Sequence, residues 1–410
     1  MSGSPLAGRR VALLHPAWHS CGTYRVVLGQ IAAYRALGAE ASPIAISTDP
    51  GFLPQRRWLW RSFLTATPEL DGSPRHLGGA PLHVLFEPGF FGGVVWPYLH
   101  GDQAAIRLGL VSRARFSPGV EEAEYDLVHC NHFFLMPAAR RLARGRAPIL
   151  LDTHDLQARQ FALINERMPW LRPRVTYEEM LAQELAAMRG ADLLLHLNAR
   201  EAEEFRGLLP KKRHALLYPP TPPAPTGPGG PDIVIVSSDN TANVESLIWF
   251  LREVAPRAPG VEVKIAGSVA DGVRARAGEL YAAYKNWFLG RVAEPGAVYA
   301  GARLVLLPTI GGTGLSIKTV EAMSSGLPLI ATPQALRGMD DAALALPGVT
   351  IVETAEAFAA ALRAAAVAPP PSDSQRASSA ARAYYERRFS LAAYRAGLQA
   401  LAAPLMAAVS

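Results

Sequence analysis

Lys318 and Glu321 stand three residues apart in the run Pro308 to Thr332, PTIGGTGLSIKTVEAMSSGLPLIAT, close behind Gly311, Gly312 and Gly314. On a helix, that spacing puts a cation and a carboxylate on one face. The cation suits a phosphate, and the carboxylate suits sugar hydroxyls. The glycines let the backbone turn tightly and let a ligand come close. Open N–H groups at the start of the following helix favour an anion further. A second candidate pair, His154-Asp155, closes the apolar run Pro148 to Asp152. An imidazole there can change protonation, or hydrogen-bond a hydroxyl, near neutral pH. His19, His129, His132 and His196 share no spacing that would make them metal ligands. Cys21 and Cys130 imply neither a disulfide framework nor a metal cluster.

These groups need strands and helices to hold them. Val305 to Leu307 reads as a strand ending at Pro308, Leu315 to Ser325 as a helix, and Leu329 to Ala331 as the next strand. Ile317, Val320 and Met323 have the spacing to face a sheet. Gly326 can end the helix in a left-handed cap, and Pro328 blocks its continuation. The same alternation runs through the chain. Val11 to Leu14 predicts a strand, Tyr24 to Leu37 a helix behind Gly22, and Ile44 to Ile46 a second strand. Further strands are expected at Leu82 to Phe86, Tyr125 to His129, Ala191 to Leu197 and Ala215 to Tyr218. The Pro/Gly-dense stretch PPTPPAPTGPGGP, 219–231, cannot pack as helix or sheet and reads as a linker. Beyond it the pattern restarts with strands at Ile233 to Val236 and Val261 to Ile265. Helices are expected at Val244 to Val254, Val269 to Tyr284, Glu356 to Val367, Ser374 to Arg388 and Leu391 to Leu405. Strand–helix alternation of this kind builds parallel sheets with ligands at the strand C-termini, and a cleft between two such domains is the default ligand site.

The totals are those of a globular α/β protein. Half of the 410 residues are hydrophobic and 19% are charged, which excludes a disordered chain. The formal charge is +6, with most of the excess before residue 222. That excess suits anionic lipid or phosphorylated substrates, but is too diffuse for nucleic acid. No apolar run reaches the length of a membrane span, and the N-terminus runs straight into a strand. The expectation is a cytoplasmic protein able to touch a membrane from that side. The cluster Arg56-Arg57-Trp58 is read first as a helix packed by its aromatic face, and second as a contact to acceptor or lipid.

The second half resembles the retaining glycosyltransferases of the GT-B fold, family 4 in particular. The residues that carry this are IVIVSSDNTANVESLIWFLREVAP, VEVKIAGS, FLGRVAEPGAVYAGARLVLLP and the Pro308 to Thr332 run. The first half is similar more weakly, through the loop at Gly22 and the strand ending at His154-Asp155. The resemblance implies two Rossmann-like domains facing each other across a cleft. The acceptor side spans 1–218, the linker 219–231, the donor side 232–388, and a closing helix at 389–410 packs back on the first domain. It implies a nucleoside-diphosphate sugar as substrate and no cofactor or metal. The acceptor is left open among glycans, lipid-linked molecules and small molecules.

By the same resemblance, Glu321 binds the donor ribose, and the backbone at Gly290, Arg291 and Val292 holds the base. Gly312, Thr313, Gly314 and Leu315 approach the diphosphate and sugar, Ser238 and Asn243 line the donor site, and Gly22 and Thr23 lie near the diphosphate. His154 lies near the transferred sugar. Two departures stand out. Thr313 occupies a position where the family often has a glutamate, so the resemblance does not name the sugar. The loop Ser237 to Thr241 lacks the arginine and lysine common there, so Lys318 is expected to supply the cation. Two rival readings accompany this one: an inactive sugar-nucleotide-binding protein of the same fold, and a sugar-nucleotide epimerase. A nicotinamide-dependent oxidoreductase is disfavoured because G-x-G-x-x-G is missing.

Overall fold

The computed structural model describes residues 4–19, 21–48, 63–70, 76–166, 168, 170–225, 229–292 and 295–407. The Arg56-Arg57-Trp58 cluster lies outside them. The chain forms two compact units. The first comprises Met1–Leu197, Glu201–Pro219 and Tyr394–Ser410; the second comprises Asn198–Arg200 and Pro220–Ala393.

The first unit holds an eight-stranded sheet in the order β4-β3-β2-β1-β5-β6-β7-β8. Its strands are β1 (Arg10–Pro16), β2 (Glu40–Ile46), β3 (His76–Gly79), β4 (Arg115–Phe116), β5 (Leu127–Asn131), β6 (Ile149–Asp152), β7 (Leu193–His196) and β8 (His214–Leu216). Among the described strands of this sheet, only the β3–β4 pair is antiparallel. The strands alternate sides as the pleat demands. Ala12, Leu14, Val128, Cys130 and Leu151 join one core; Val11, Leu13, Leu127 and Leu150 join the other, which also takes Tyr34, Tyr394 and Leu398. Helix α1 (Gly22–Ala36) follows β1, and helix α2 (Gln157–Asn165) follows β6 and the His154 loop. Both Glu184 carboxylate oxygens accept N–H groups at the start of α2, Gln157 N at 3.1 Å and Ala158 N at 2.7 Å, which anchors the end of that loop.

The second unit holds a six-stranded, all-parallel sheet in the order β11-β10-β9-β12-β13-β14. Its strands are β9 (Asp232–Val236), β10 (Lys264–Ala266), β11 (Phe288–Gly290), β12 (Ala302–Leu307), β13 (Leu329–Ala331) and β14 (Val349–Ile351). Helix α3 (Thr241–Trp249) begins at its cap Asn240, whose side chain accepts from Asn243 N. Helix α4 (Ile317–Ser324) is the helix behind the glycines. Val320 and Met323 are buried as the spacing predicts, whereas Ile317 is only half-buried. Gly326 adopts φ 71°, the left-handed cap expected of it.

Several expectations change. Leu82–Phe86 is a 3-10 turn, not a strand: only Val84 is buried, and Pro81 leads the chain into i+3 bonding. The strand in this region is β3, whose HLGG sequence carries little strand propensity. Its Gly78 leaves room for Phe116, because a Cβ there would lie 2.7 Å from that ring. The expected helix Ser374 to Arg388 breaks in two at Ser378-Ser379, because the Ser379 side chain caps the second piece by accepting from Arg382 N. The strand expected at Val261 to Ile265 is the shorter Lys264–Ala266.

Candidate active site

In the second unit β9 lies between β10 and β12, so the connections leaving β9 and β12 run in opposite directions along the sheet. Such a switch point opens a crevice at the strand C-termini. The loop after β9 brings Ser238, and the start of α3 brings Asn243. The loop after β12 brings the glycines, and α4 brings Lys318. Lys318 Nζ donates to Asn243 Oδ1 at 2.8 Å, while Asn243 Nδ2 donates to Ser238 Oγ and O, each at 3.1 Å. Three residues expected at the donor site are therefore tied into one cluster.

A second cation joins them. Arg337, from the chain after β13, donates from Nε to Thr313 O at 3.3 Å and from Nη1 to Gln334 O at 3.2 Å. Gln334 Nε2 donates to Gly312 O at 2.8 Å. These bonds pin the glycine loop from beneath. Gly312 has φ 108°, a conformation that favours glycine, and a Cβ there would press on the Arg337 guanidinium at 3.0 Å. Gly314 also has positive φ, 63°. Burial, reinforced by the nearby Arg337 charge, lowers Lys318 to about 8. Two like charges held together and part-desolvated are set to meet an anion. Glu321 lies one turn further along α4, and its charge adds to burial in raising the Tyr299 phenol.

Gly290 ends β11 with φ 72° and accepts from Gly267 N at 2.7 Å. Gly290 and Arg291 line a cavity of about 380 Å³ with Asp271, Arg274 and Tyr281. Arg291 Nε lies 3.6 Å from Asp271. Val292 is not part of this cavity; it lines a separate hollow with Asp232, Lys264 and Ala297.

In the first unit β1 is the switch strand, between β2 and β5. Gly22 is the first residue of α1; a Cβ there would meet nothing, so the position does not demand glycine. Thr23 Oγ1 lies 3.1 Å from His132 Nε2, and the His132 ring stacks on His154 with centroids 4.1 Å apart. Both histidines hold positive φ, 71° and 58°, a conformation that costs residues with a Cβ and marks functional loops.

Beneath them lies a buried polar network. Asn131 Nδ2 donates to Leu14 O and to Gln30 Oε1, each at 3.0 Å. A carbonyl can only accept, so Leu14 O fixes which way the Asn131 amide points. Its Oδ1, 2.8 Å from His154 Nε2, must then be the acceptor. His154 is therefore protonated at Nε2 and carries its lone pair on Nδ1. Burial lowers His154 to about 3, so the ring is neutral at physiological pH and serves as a hydrogen-bonding group rather than a proton shuttle. Asp152, bonded to Gln30 at 3.0 Å, is pushed up to about 8 by burial. Among the described residues, no group of three or more His, Cys, Asp or Glu side chains is placed to hold a metal ion.

Residues 230–366 match the glycosyl transferases group 1 family model. Over that third of the chain the protein is similar to the group 1 glycosyltransferases. Nearly the whole chain also superposes on solved glycosyltransferases. HepE of Anabaena, in complex with UDP, aligns with a TM-score of 0.60 at 14% identity, covering 95% of this chain and 98% of that one. A glycosyltransferase from Rickettsia africae aligns with a TM-score of 0.60 at 12% identity, covering 97% and 99%. At such identities the likeness concerns the fold: two parallel-rich α/β sheets matching GT-B structures. An uncharacterized protein of the cps region of Klebsiella pneumoniae is 24% identical over 241 residues. That alignment takes in 55% of this chain and 62% of the length of that relative.

The stretch that matches the family model contains Ser238, Asn243, Gly290, Arg291, Val292, Lys318, Glu321 and the 312–315 loop. It also contains Arg337, which the sequence reading missed. Its signal was present: an arginine six residues after β13, a strand hydrogen-bonded to β12. Asn131, Gln30, Asp152 and His132 were missed as well. Asn131 and Asp152 end neighbouring strands in direct register, and that pairing is not visible until the strand order is known.

Proposed function

We propose that the protein is a glycosyltransferase that moves a sugar from a nucleoside-diphosphate sugar to an acceptor, with retention of anomeric configuration. The observation that carries this reading is the convergence of Lys318, Arg337 and the glycine loop at the β9/β12 switch point of the stretch that matches the family model. In this reading the two cations and the α4 N-terminus meet the charge that grows on the diphosphate as its bond to the sugar breaks. Glu321 accepts from the ribose hydroxyls, and the Gly290–Arg291 edge of the cavity takes the base. In the same reading Gly22 and Thr23 serve the diphosphate. His154 presents its Nδ1 lone pair to a hydroxyl of the transferred sugar and orients the reacting face.

The test begins with thermal shift against UDP-, GDP- and dTDP-sugars, since a bound donor raises the melting temperature by mass action. One donor should stabilise the parent protein and fail to stabilise Glu321→Ala. Donor hydrolysis or transfer, with the anomeric proton of the product read by NMR, then tests activity and retention. No shift with any donor sinks the reading. A shift without turnover favours a sugar-nucleotide-binding protein instead, for which Thr313 in place of a carboxylate speaks. Epimerised sugar formed without acceptor would point to the epimerase.

A further inference from the structure

The run Pro88 to Leu99, PGFFGGVVWPYL, contains no charged or amide side chain. It is helical throughout, as Pro88–Phe90, a π-helical turn Phe91–Val95, and Trp96–Leu99. One face docks firmly: Phe90 and Val94 are buried with Val84, Ile106 and Leu110. The run packs so closely on the helix Gln103–Ser112 that a Cβ on Gly109 would lie 2.2 Å from Gly93 O. Arg113 clamps the start of the run, donating to Gly89 O at 2.6 Å. The outer face is nonetheless apolar. Phe86 is 88% exposed, Phe91 59%, Trp96 55% and Tyr98 45%.

A second segment extends this face. Leu171 N donates to Leu99 O at 2.9 Å, Val175 N to His100 O at 3.0 Å, and the Tyr98 and Trp170 rings meet edge-on at 5.8 Å. That segment exposes Leu163, Ile164, Met168 and Leu171. Exposed apolar side chains are common singly, but a clustered set on a rigid support marks an interaction surface. Arg172 and Arg174 are exposed beside it. Of the acids on these segments, Glu87 is engaged with Arg113 at 3.6 Å, which leaves Glu166 against the arginines.

We propose that this face docks the protein on an anionic lipid bilayer. Phe, Trp and Tyr on a short amphipathic support, rimmed by arginine, enter the headgroup region while the guanidinium groups pair with lipid phosphates. A second copy of this chain suits the surface less well, because a two-fold interface would oppose one cationic rim to another. The helical run is also too short to cross a bilayer, and no helix among the described residues is long and apolar enough to do so. The face therefore lies on the membrane.

The experiment is co-sedimentation of the full chain with phosphatidylcholine vesicles, with and without phosphatidylglycerol. The parent should bind the anionic vesicles more tightly, and less so at high salt. The double variant Phe91→Ser/Trp96→Ser removes two exposed side chains, so it should melt with the parent yet bind at least about tenfold more weakly. Arg172→Glu should lose the preference for anionic lipid while keeping the fold. The proposal is overturned if the parent stays in solution with anionic vesicles, or if the double variant binds as the parent does. Self-association of the parent that the double variant abolishes, without vesicle binding, also overturns it in favour of a second copy.

Discussion

Lys318→Met tests the donor site at its most sensitive point. The side chain is part-buried, bonded to Asn243 and close to Arg337, so its charge is held against both desolvation and a like neighbour. A charge-assisted hydrogen bond to a diphosphate contributes about 1.5–3 kcal/mol, so its loss should raise the donor Kd about 10- to 150-fold. The pH dependence makes the test sharper. With its pKa near 8, Lys318 is roughly nine-tenths protonated at pH 7 and roughly one-tenth at pH 9. Donor affinity of the parent should therefore fall roughly tenfold over that range, whereas Lys318→Met should bind weakly and almost independently of pH. The unliganded proteins give an opposite sign. The folded-state pKa lies below the ordinary lysine value of 10.5, so the folded state holds fewer protons between the two values. The parent should gain stability as pH rises through that window, and the methionine variant should not. Calorimetric titration with the donor found in the thermal-shift panel, at several pH values, reads affinity; thermal melts read stability. A Lys318→Met protein whose affinity stays within twofold of the parent, with the same pH profile, would mean that Lys318 does not meet the donor diphosphate.

Arg337→Ala should weaken donor binding by about tenfold or more and also loosen the glycine loop, whereas Arg337→Lys should recover the charge but not the bond to Thr313 O; calorimetry on both variants separates the two roles. Gly312→Ala forces a side chain onto positive φ beside the Arg337 guanidinium, and should destabilise the fold by about 1–3 kcal/mol while lowering donor affinity, as read by denaturant melts and titration. Asn131→Ala releases the His154 tautomer. It should lower turnover more than donor affinity, and ¹⁵N NMR of the imidazole should lose the Nε2–H form that dominates in the parent. Asp152 has its folded pKa raised to about 8 from 3.8, so the folded state holds a proton that the unfolded chain has released. Stability should fall as pH rises through that window, by up to about 1.4 kcal/mol per pH unit, and Asp152→Asn should flatten the slope in melts taken across it.

Much of this molecule could be read from local pattern, because the apolar runs, glycines and caps act over a few residues. The restart after 219–231, the strand–loop–helix at Pro308 to Thr332, the Gly326 cap and the proximity of Lys318 and Glu321 all depend on helical spacing and backbone sterics alone. The sequence order also carried the resemblance to GT-B glycosyltransferases. Where local signals were weak or conflicting, the reading failed: HLGG became a strand through its neighbours, and LHVLF became a turn because burial did not reward extension.

The composition of the sites depends on strand order and packing. Arg337 approaches Lys318 because β13 pairs with β12 and returns its loop beneath Thr313. His154 takes a single tautomer because β1, β5 and β6 lie side by side, bringing the Leu14 carbonyl, Asn131 and Asp152 into one buried network. Lys318 acquires its lowered pKa from burial and a neighbouring charge, neither of which is encoded at position 318. Local sequence pattern therefore accounts for most of the elements and for the chemistry they carry. The three-dimensional packing decided the partners, protonation states and exposure of those groups, because desolvation and hydrogen-bond direction depend on residues far apart in the chain.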